Sequence, residues 1–233
     1  MTRRACPRAE SREVGRRLSA LEQRISSIEV QEKKGCRRSI FVNGKFALGV
    51  DESVIADLGL HVGQQMTEDE LQRIVHAELV AKAKARALRL LEYRARSRAE
   101  IVQRLRTAGF ADDIIEDTLK RLEDLGLIDD AQFARSWVKH RLTGKAVGKA
   151  RIKWELRQKG VPTDVLEEAL SAVDADTEYE SAVDAARRRW RKDGSLDERT
   201  KRRRLASFLR RQGFEWEVVT RILNELTAET EPQ

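Results

Sequence analysis

Several things are scarce or missing in this chain of 233 residues, and each shortage excludes a class. Cysteine is limited to Cys6 and Cys36, with no second pair to complete a zinc site, so free thiols are expected rather than a metal centre or a disulfide scaffold. Aromatic residues make up only 5%, too few for a thick sandwich or barrel and better suited to exposed helices around narrow cores. No apolar run reaches the roughly 18 residues that would span a bilayer. The Arg-rich start (Arg3, Arg4, Arg8, Arg12, Arg16, Arg17) leads into no apolar signal core, so a soluble cytoplasmic protein is expected. His61, His76 and His140 are scattered, without an i, i+4 pair or an acidic partner at ligand spacing. No phosphate-binding glycine loop, nucleophile elbow or kinase signature is found. The expectation is a non-enzyme without a metal site.

What the chain has in quantity is charge. Charged residues are 36% of the total, and 46 Lys and Arg against 39 Asp and Glu leave a net +7 that hides two large opposed populations. Residues 1–22 are Arg-rich and aperiodic, as in a flexible basic arm. From Ile25 the pattern alternates through Ile28 and Val30, Ile40 and Val42, and Phe46 and Leu48, broken at Lys34-Gly35 and Asn43-Gly44. Asn-Gly between alternating runs predicts a tight hairpin, because both residues accept positive φ. Three strands alone are marginal. Asp51 can cap a short helix carrying Val54, Ile55 and Leu58 that Gly59 ends, which makes 23–66 a small α+β module built on a β-meander. Thr67 with Glu70 fits a capping box, and the apolar spacing from Leu71 to Leu91 predicts one long helix over about 68–93.

An internal repeat decides the rest. Leu105 to Phe110, Leu156 to Val161 and Leu209 to Phe214 share one pattern of helix end, glycine and hydrophobic residue. Five residues after each glycine come Ile114, Val165 and Val218; ten after come Leu119, Leu170 and Leu223; thirteen after come Leu122, Val173 and Leu226. Upstream lie the i, i+4 pairs Ile101 and Leu105, Ile152 and Leu156, and Leu205 and Leu209. Each unit reads as helix, helix, turn, helix over about 50 residues. The expected fold is mainly α: three tandem three-helix repeats in an elongated array, over 67–129 (with the connecting helix), 130–176 and 177–228, preceded by the α+β module and followed by a tail at 229–233. Nothing in the pattern demands a dimer, so a monomer is expected.

The charges segregate along the repeats. Residues 135–160 hold nine Lys and Arg against Glu155 alone, whereas 161–184 hold eight acids and no Lys or Arg. Residues 82–106 carry nine basic and two acidic residues, 112–130 two basic and eight acidic, and 187–204 ten basic and three acidic. Stacked units would line up their basic first and second helices as a stripe suited to a long polyanion, with the acidic third helices elsewhere. Mutual neutralisation of solvated faces is the competing explanation. Trp137, Trp154, Trp190 and Trp216 fall at spacings that match apolar helix positions, so core packing is expected of them; stacking on bases is the alternative.

The segments Arg96-Ser97-Arg98-Ala99-Glu100-Ile101, Leu125-Gly126-Leu127-Ile128-Asp129-Asp130 with Phe133-Ala134, and Gly148-Lys149-Ala150-Arg151-Ile152 running to Glu155-Leu156-Arg157-Gln158-Lys159-Gly160 resemble the RecX family of regulatory proteins. The resemblance covers most of 88–175; the third repeat lacks the Arg-Ser-x-x-Glu start, and the module at 25–65 is similar to one found in some of the family. It implies a protein without cofactor that lies in the groove of the RecA-DNA filament and restrains ATP hydrolysis, strand exchange and coprotease activity in recombination, repair and the SOS response. Direct binding of single-stranded or duplex DNA is left open. Arg94, Arg96 and Arg98 in the first unit and Arg141, Lys145, Lys149, Arg151 and Lys153 in the second are the candidate filament or DNA contacts, chosen for charge density within the family-like segments. Two other readings compete. A helix-turn-helix would send the helix after each glycine into a DNA groove, but those are the acidic helices. A general single-strand binder would compete with recombinase for DNA and weaken steeply with salt.

Overall fold

The computed structural model describes residues 23–31, 36–144, 147–193 and 195–228. The basic arm, the C-terminal tail, Cys6 and the candidate Lys145 lie outside them; Cys36 carries an exposed free thiol. The described residues fall into two compact units. One ends at Ala95 and resumes over Ile101–Ile128; the other comprises Arg96–Glu100 and everything described from Asp129 onward.

The first unit begins with three antiparallel strands in sequence order, β1 (Ile25–Val30), β2 (Arg37–Val42) and β3 (Lys45–Asp51). Asn43 and Gly44 take φ of 49° and 76°, the double positive φ that the two-residue turn requires. Asp51 then caps α1 (Glu52–Leu58), accepting from the Ser53 N–H, and Gly59 closes the helix in the left-handed region. Helix α2 (Glu68–Tyr93) starts at the Thr67–Glu70 capping box, both arms of which are formed. Its first half covers the sheet: Leu71 and Ile74 join Ile25, Ile40, Val42, Val50 and Val54 in one core. Its second half contributes Val80, Ala83 and Ala87 to a separate core with α3 (Arg98–Thr107) and α4 (Asp112–Asp124), built on Ile101, Leu105, Ile114, Ile115, Leu119 and Leu122. Between the two cores sits Glu78, buried, yet accepting from Arg37 Nη2 at 2.8 Å and from the Asp51 backbone N–H at 2.7 Å. A carboxylate is tolerated there because both oxygens are used. His76 Nε2 meets Asp117 at 2.6 Å and Arg121 meets Asp57 at 3.3 Å, tying α4 to α2 and α1.

The second unit holds α5 (Asp130–Gly144), α6 (Lys149–Gln158) and α7 (Thr163–Ser171), then α8 (Ala175–Lys192), α9 (Glu198–Arg211) and α10 (Trp216–Ala228). Each trio has its own core, one on Ile152, Leu156 and Leu166 and the other on Leu205, Leu209, Val219 and Ile222. The second helix of all three repeats ends in the same way. Phe110, Val161 and Phe214 donate back to Leu105, Leu156 and Leu209, while Gly109, Gly160 and Gly213 donate to Arg106, Arg157 and Arg210. These are paired Schellman hydrogen bonds around a glycine with φ between 71° and 89°. The repeat visible in the residues is thus a repeat in backbone geometry. One boundary differs from the expected segregation by helix: α8 carries acids as far as Asp184 (Asp176, Glu178, Glu180, Asp184) and bases from Arg187 on (Arg187 to Arg189, Arg191, Lys192). That order suits the helix dipole, with acids near its positive end and bases near its negative end.

Candidate functional site

The N-terminal ends of α3 and α6, the second helices of the first two repeats, are joints. Ser97 caps α3, accepting from the Glu100 N–H at 3.2 Å while the Glu100 carboxylate accepts from the Ser97 N–H at 3.3 Å. The same buried hydroxyl donates to the Lys159 carbonyl at 2.5 Å, at the end of α6. One repeat later the positions are reproduced with other atoms. Gly148, twelve residues before its glycine as Ser97 is, caps α6 and donates its N–H to the Gln212 carbonyl at 2.9 Å, and Ala150 donates to Gly213 at 3.3 Å. The C-terminal end of α9 therefore abuts the N-terminal end of α6, an alignment in which the helix dipoles meet with opposite signs. The contact leaves no room for side chains: a Cβ on Gly148 would lie 2.3 Å from the Gly213 oxygen, one on Gly160 2.4 Å from the Ala99 Cβ, and one on Gly213 2.4 Å from the Arg151 nitrogen. Glu178, buried in α8, completes the α6 end by accepting from the Lys149 N–H at 3.0 Å, with Lys149 Nζ 3.6 Å away and bonded to the Val173 carbonyl at 2.9 Å.

Around this joint the candidate cations separate into two groups. Arg141 is partly buried: its Nε donates to Glu155 at 2.7 Å and its guanidinium lies 4.9 Å from the Trp137 ring centroid. Glu155 also accepts from the Trp137 indole N–H at 3.0 Å, and Lys159 Nζ approaches the same ring at 4.3 Å. Arg141 and Lys149 thus brace the repeat. Lys153 is engaged by Glu167 of α7. Arg151 is exposed, with its Nε 3.6 Å from Glu155. Arg96 and Arg98 stand at the start of α3, where the Arg98 N–H donates to Asp130 at 2.8 Å. Arg94, in the first unit, is the residue that ends α2 and donates to the Ala95 carbonyl at 3.0 Å.

Residues not chosen from the sequence complete the face. Arg151, Trp154, Arg157 and Gln158 are the exposed side of α6, opposite the buried Ile152 and Leu156. Arg203, Arg204, Ser207, Arg210 and Arg211 are the equivalent side of α9. The signal was present as the i, i+3, i+7 complement of the apolar pairs, but density of charge within family-like segments selected other residues. The tryptophans also divide. Trp137, stacked on Phe133 at 5.9 Å, and Trp190 pack against repeat cores as expected, whereas Trp154 and Trp216 are 56% and 55% exposed and do not. The buried positions beside them are taken by Ile152 and Leu156 for the one and by Phe214 and Val219 for the other. Among the described residues no group of His, Cys, Asp and Glu is arranged to hold a metal ion, and no helix is long and apolar enough to cross a membrane.

Comparison with known proteins matches four family descriptions in chain order: the regulatory protein RecX N-terminal domain over 23–67 and the first, second and third RecX three-helix domains over 83–122, 129–170 and 176–223. The regulatory protein RecX of Clostridioides difficile (strain 630) is 30% identical over 202 residues, covering 87% of this chain and 95% of that protein. That of Limosilactobacillus reuteri (strain DSM 20016) is 32% identical over 203 residues, covering 87% and 76%. Among solved structures, a regulatory protein RecX superposes with a TM-score of 0.76 at 30% identity, over 87% of this chain and 99% of that one. RecX from Lactobacillus salivarius superposes with a TM-score of 0.61 at 28% identity, over 65% and 99%. With its β-meander module, its three glycine-closed repeats and these matches along nearly its whole described length, the chain belongs to the RecX family of regulatory proteins.

Proposed function

We propose that this protein is a non-catalytic negative regulator of the RecA recombinase, docking in the groove of the RecA-DNA filament and restraining ATP hydrolysis, strand exchange and coprotease activity. The observation that carries this reading is the joint between α9 and α6, which brings two helices with Arg-rich exposed sides end to end while α7 keeps its acids Asp164, Glu167 and Glu168 on a separate helix. A cationic surface extended over successive repeats suits a polyanionic, periodic partner, and several weak contacts along it add up to avidity. Arg94, Arg96, Arg98, Lys145, Arg151 and Lys153 are proposed contacts, with Arg141 and Lys149 as residues that hold the repeat in shape.

The test is ATP hydrolysis by RecA from the same source on single-stranded DNA, titrated with this protein at two DNA concentrations. Docking on the filament predicts inhibition at protein levels well below those that coat the DNA, unaffected by extra DNA. Inhibition that needs DNA-coating levels and is relieved by extra DNA would overturn it in favour of competition for the single strand.

A further inference from the structure

Trp154 is not explained by the packing of its repeat. The buried side of α6 is formed by Ile152 and Leu156, both at 0% exposure, and Trp154 is not among the side chains that pack against the repeat core. An indole left largely in water forgoes the burial that makes tryptophan favourable in a fold. Its flanking residues are cations: Arg151 and Arg157, three positions before and after it, lie on the same side of the helix and are exposed. The Arg151 guanidinium is 5.9 Å from the ring centroid, at the outer limit of a cation–π contact, and leaves the ring surface accessible.

We propose that Trp154 is a stacking platform for one unpaired base of single-stranded nucleic acid, with Arg151 and Arg157 holding the phosphates on either side of it. The side-chain chemistry selects the ligand. A planar aromatic surface between two guanidiniums offers a π face to a base and charge to its backbone, and it does so without regard to sequence. A duplex keeps its base faces stacked inside and would use the arginines alone; an acidic protein loop would do the same and leave the indole without a partner. The exposed arginines of α9, whose C-terminal end abuts α6, extend the track for the backbone. This inference concerns bare nucleic acid and does not depend on the recombinase reading; its test contains no recombinase until the last comparison.

The test uses the full chain and a fluorescein-labelled oligomer of twenty thymidines, followed by fluorescence anisotropy. Trp154→Ala is expected to weaken binding by roughly 5- to 100-fold, and Trp154→Phe by no more than about threefold, since a phenyl ring still stacks. An abasic oligomer of the same length removes the base and keeps the phosphates, so the native chain and both variants should bind it alike. Arg151→Ala with Arg157→Ala should lower the slope of log affinity against log salt by roughly 1.4, two phosphate contacts at about 0.7 each for a single strand. An unchanged melting temperature for Trp154→Ala is expected from the exposed site and would show that the fold is intact. The proposal is overturned if Trp154→Ala binds the thymidine oligomer like the native chain, or if it loses as much affinity for the abasic oligomer. Trp154→Ala that binds DNA normally but no longer inhibits RecA would assign the indole to a protein contact instead.

Discussion

The hydroxyl of Ser97 donates to the carbonyl of Lys159, 62 residues later, while the same oxygen caps α3 by accepting from the Glu100 N–H. One side chain thereby closes a helix start in one repeat and receives the helix end of the next. Lys159 returns the contact, with its Nζ 3.3 Å from Glu100 and 4.3 Å from the Trp137 ring centroid. The Arg-Ser-x-x-Glu segment and the Lys-Gly segment that carry the resemblance to RecX are two halves of one joint.

Ser97→Ala removes a buried donor and a helix cap together. It is expected to lower the unfolding free energy by about 2 kcal/mol, measured by urea denaturation. A change within about 0.5 kcal/mol, the scatter of neutral surface substitutions, would mean that the joint contributes nothing to stability.

Two glycines separate backbone strain from steric exclusion. At Gly109 φ is 89° and no atom lies within 4 Å of an added Cβ, so Gly109→Ala should cost only the left-handed penalty, about 1 kcal/mol. At Gly213 φ is 87° and the added Cβ would meet the Arg151 backbone nitrogen at 2.4 Å. Gly213→Ala should therefore cost at least about 2 kcal/mol more than Gly109→Ala, as overpacking typically does, and should raise amide exchange at the start of α6. Equal losses would sink the close-approach argument.

Glu78 joins the sheet to α2. Glu78→Ala leaves Arg37 and the Asp51 N–H without their carboxylate and should destabilise the first unit by roughly 3 kcal/mol. Glu78→Gln, which can still accept from the Asp51 N–H, should lose less. Thermal unfolding of the two variants against the native chain checks the order.

The capping box at α2 predicts a pH dependence. Hydrogen bonding from the Thr67 backbone N–H, with further help from the Thr67 hydroxyl and the charge of Arg73, holds the Glu70 carboxyl below its ordinary 4.5. A depressed folded-state value means that the stabilisation is fully present above about 4.5 and is lost as pH falls through the lower folded value. The stability difference between the native chain and Glu70→Gln should therefore be largest near neutrality and shrink below pH 4.5. A difference that stays constant down to pH 3 would show that the charge on Glu70 plays no part.

Much of the fold was legible because local chemistry specifies it. Asn43-Gly44, Asp51, Thr67 with Glu70 and the three repeat glycines each act within a few residues of themselves, and each does in the structure what its type predicts. The candidate face was legible only in part. Charge density pointed to α6 but could not tell Arg141, drawn inward by Glu155 and Trp137, from Arg151, which faces solvent. The same uncertainty applied to the tryptophans, since Trp137 and Trp154 both sit at plausible core spacings and only one finds room.

By itself the sequence determined the α-helical class, the meander, the threefold repeat and its register, and the segregation of charge, because periodicity, capping and turn chemistry are short-range. The tertiary structure alone decided that Ser97 meets Lys159, that Gly148 must lack a side chain, and that Trp154 stands in solvent beside Arg151. The first two outcomes depend on which distant backbone arrives and how much volume it leaves, and close packing between distant segments is not written in any local pattern.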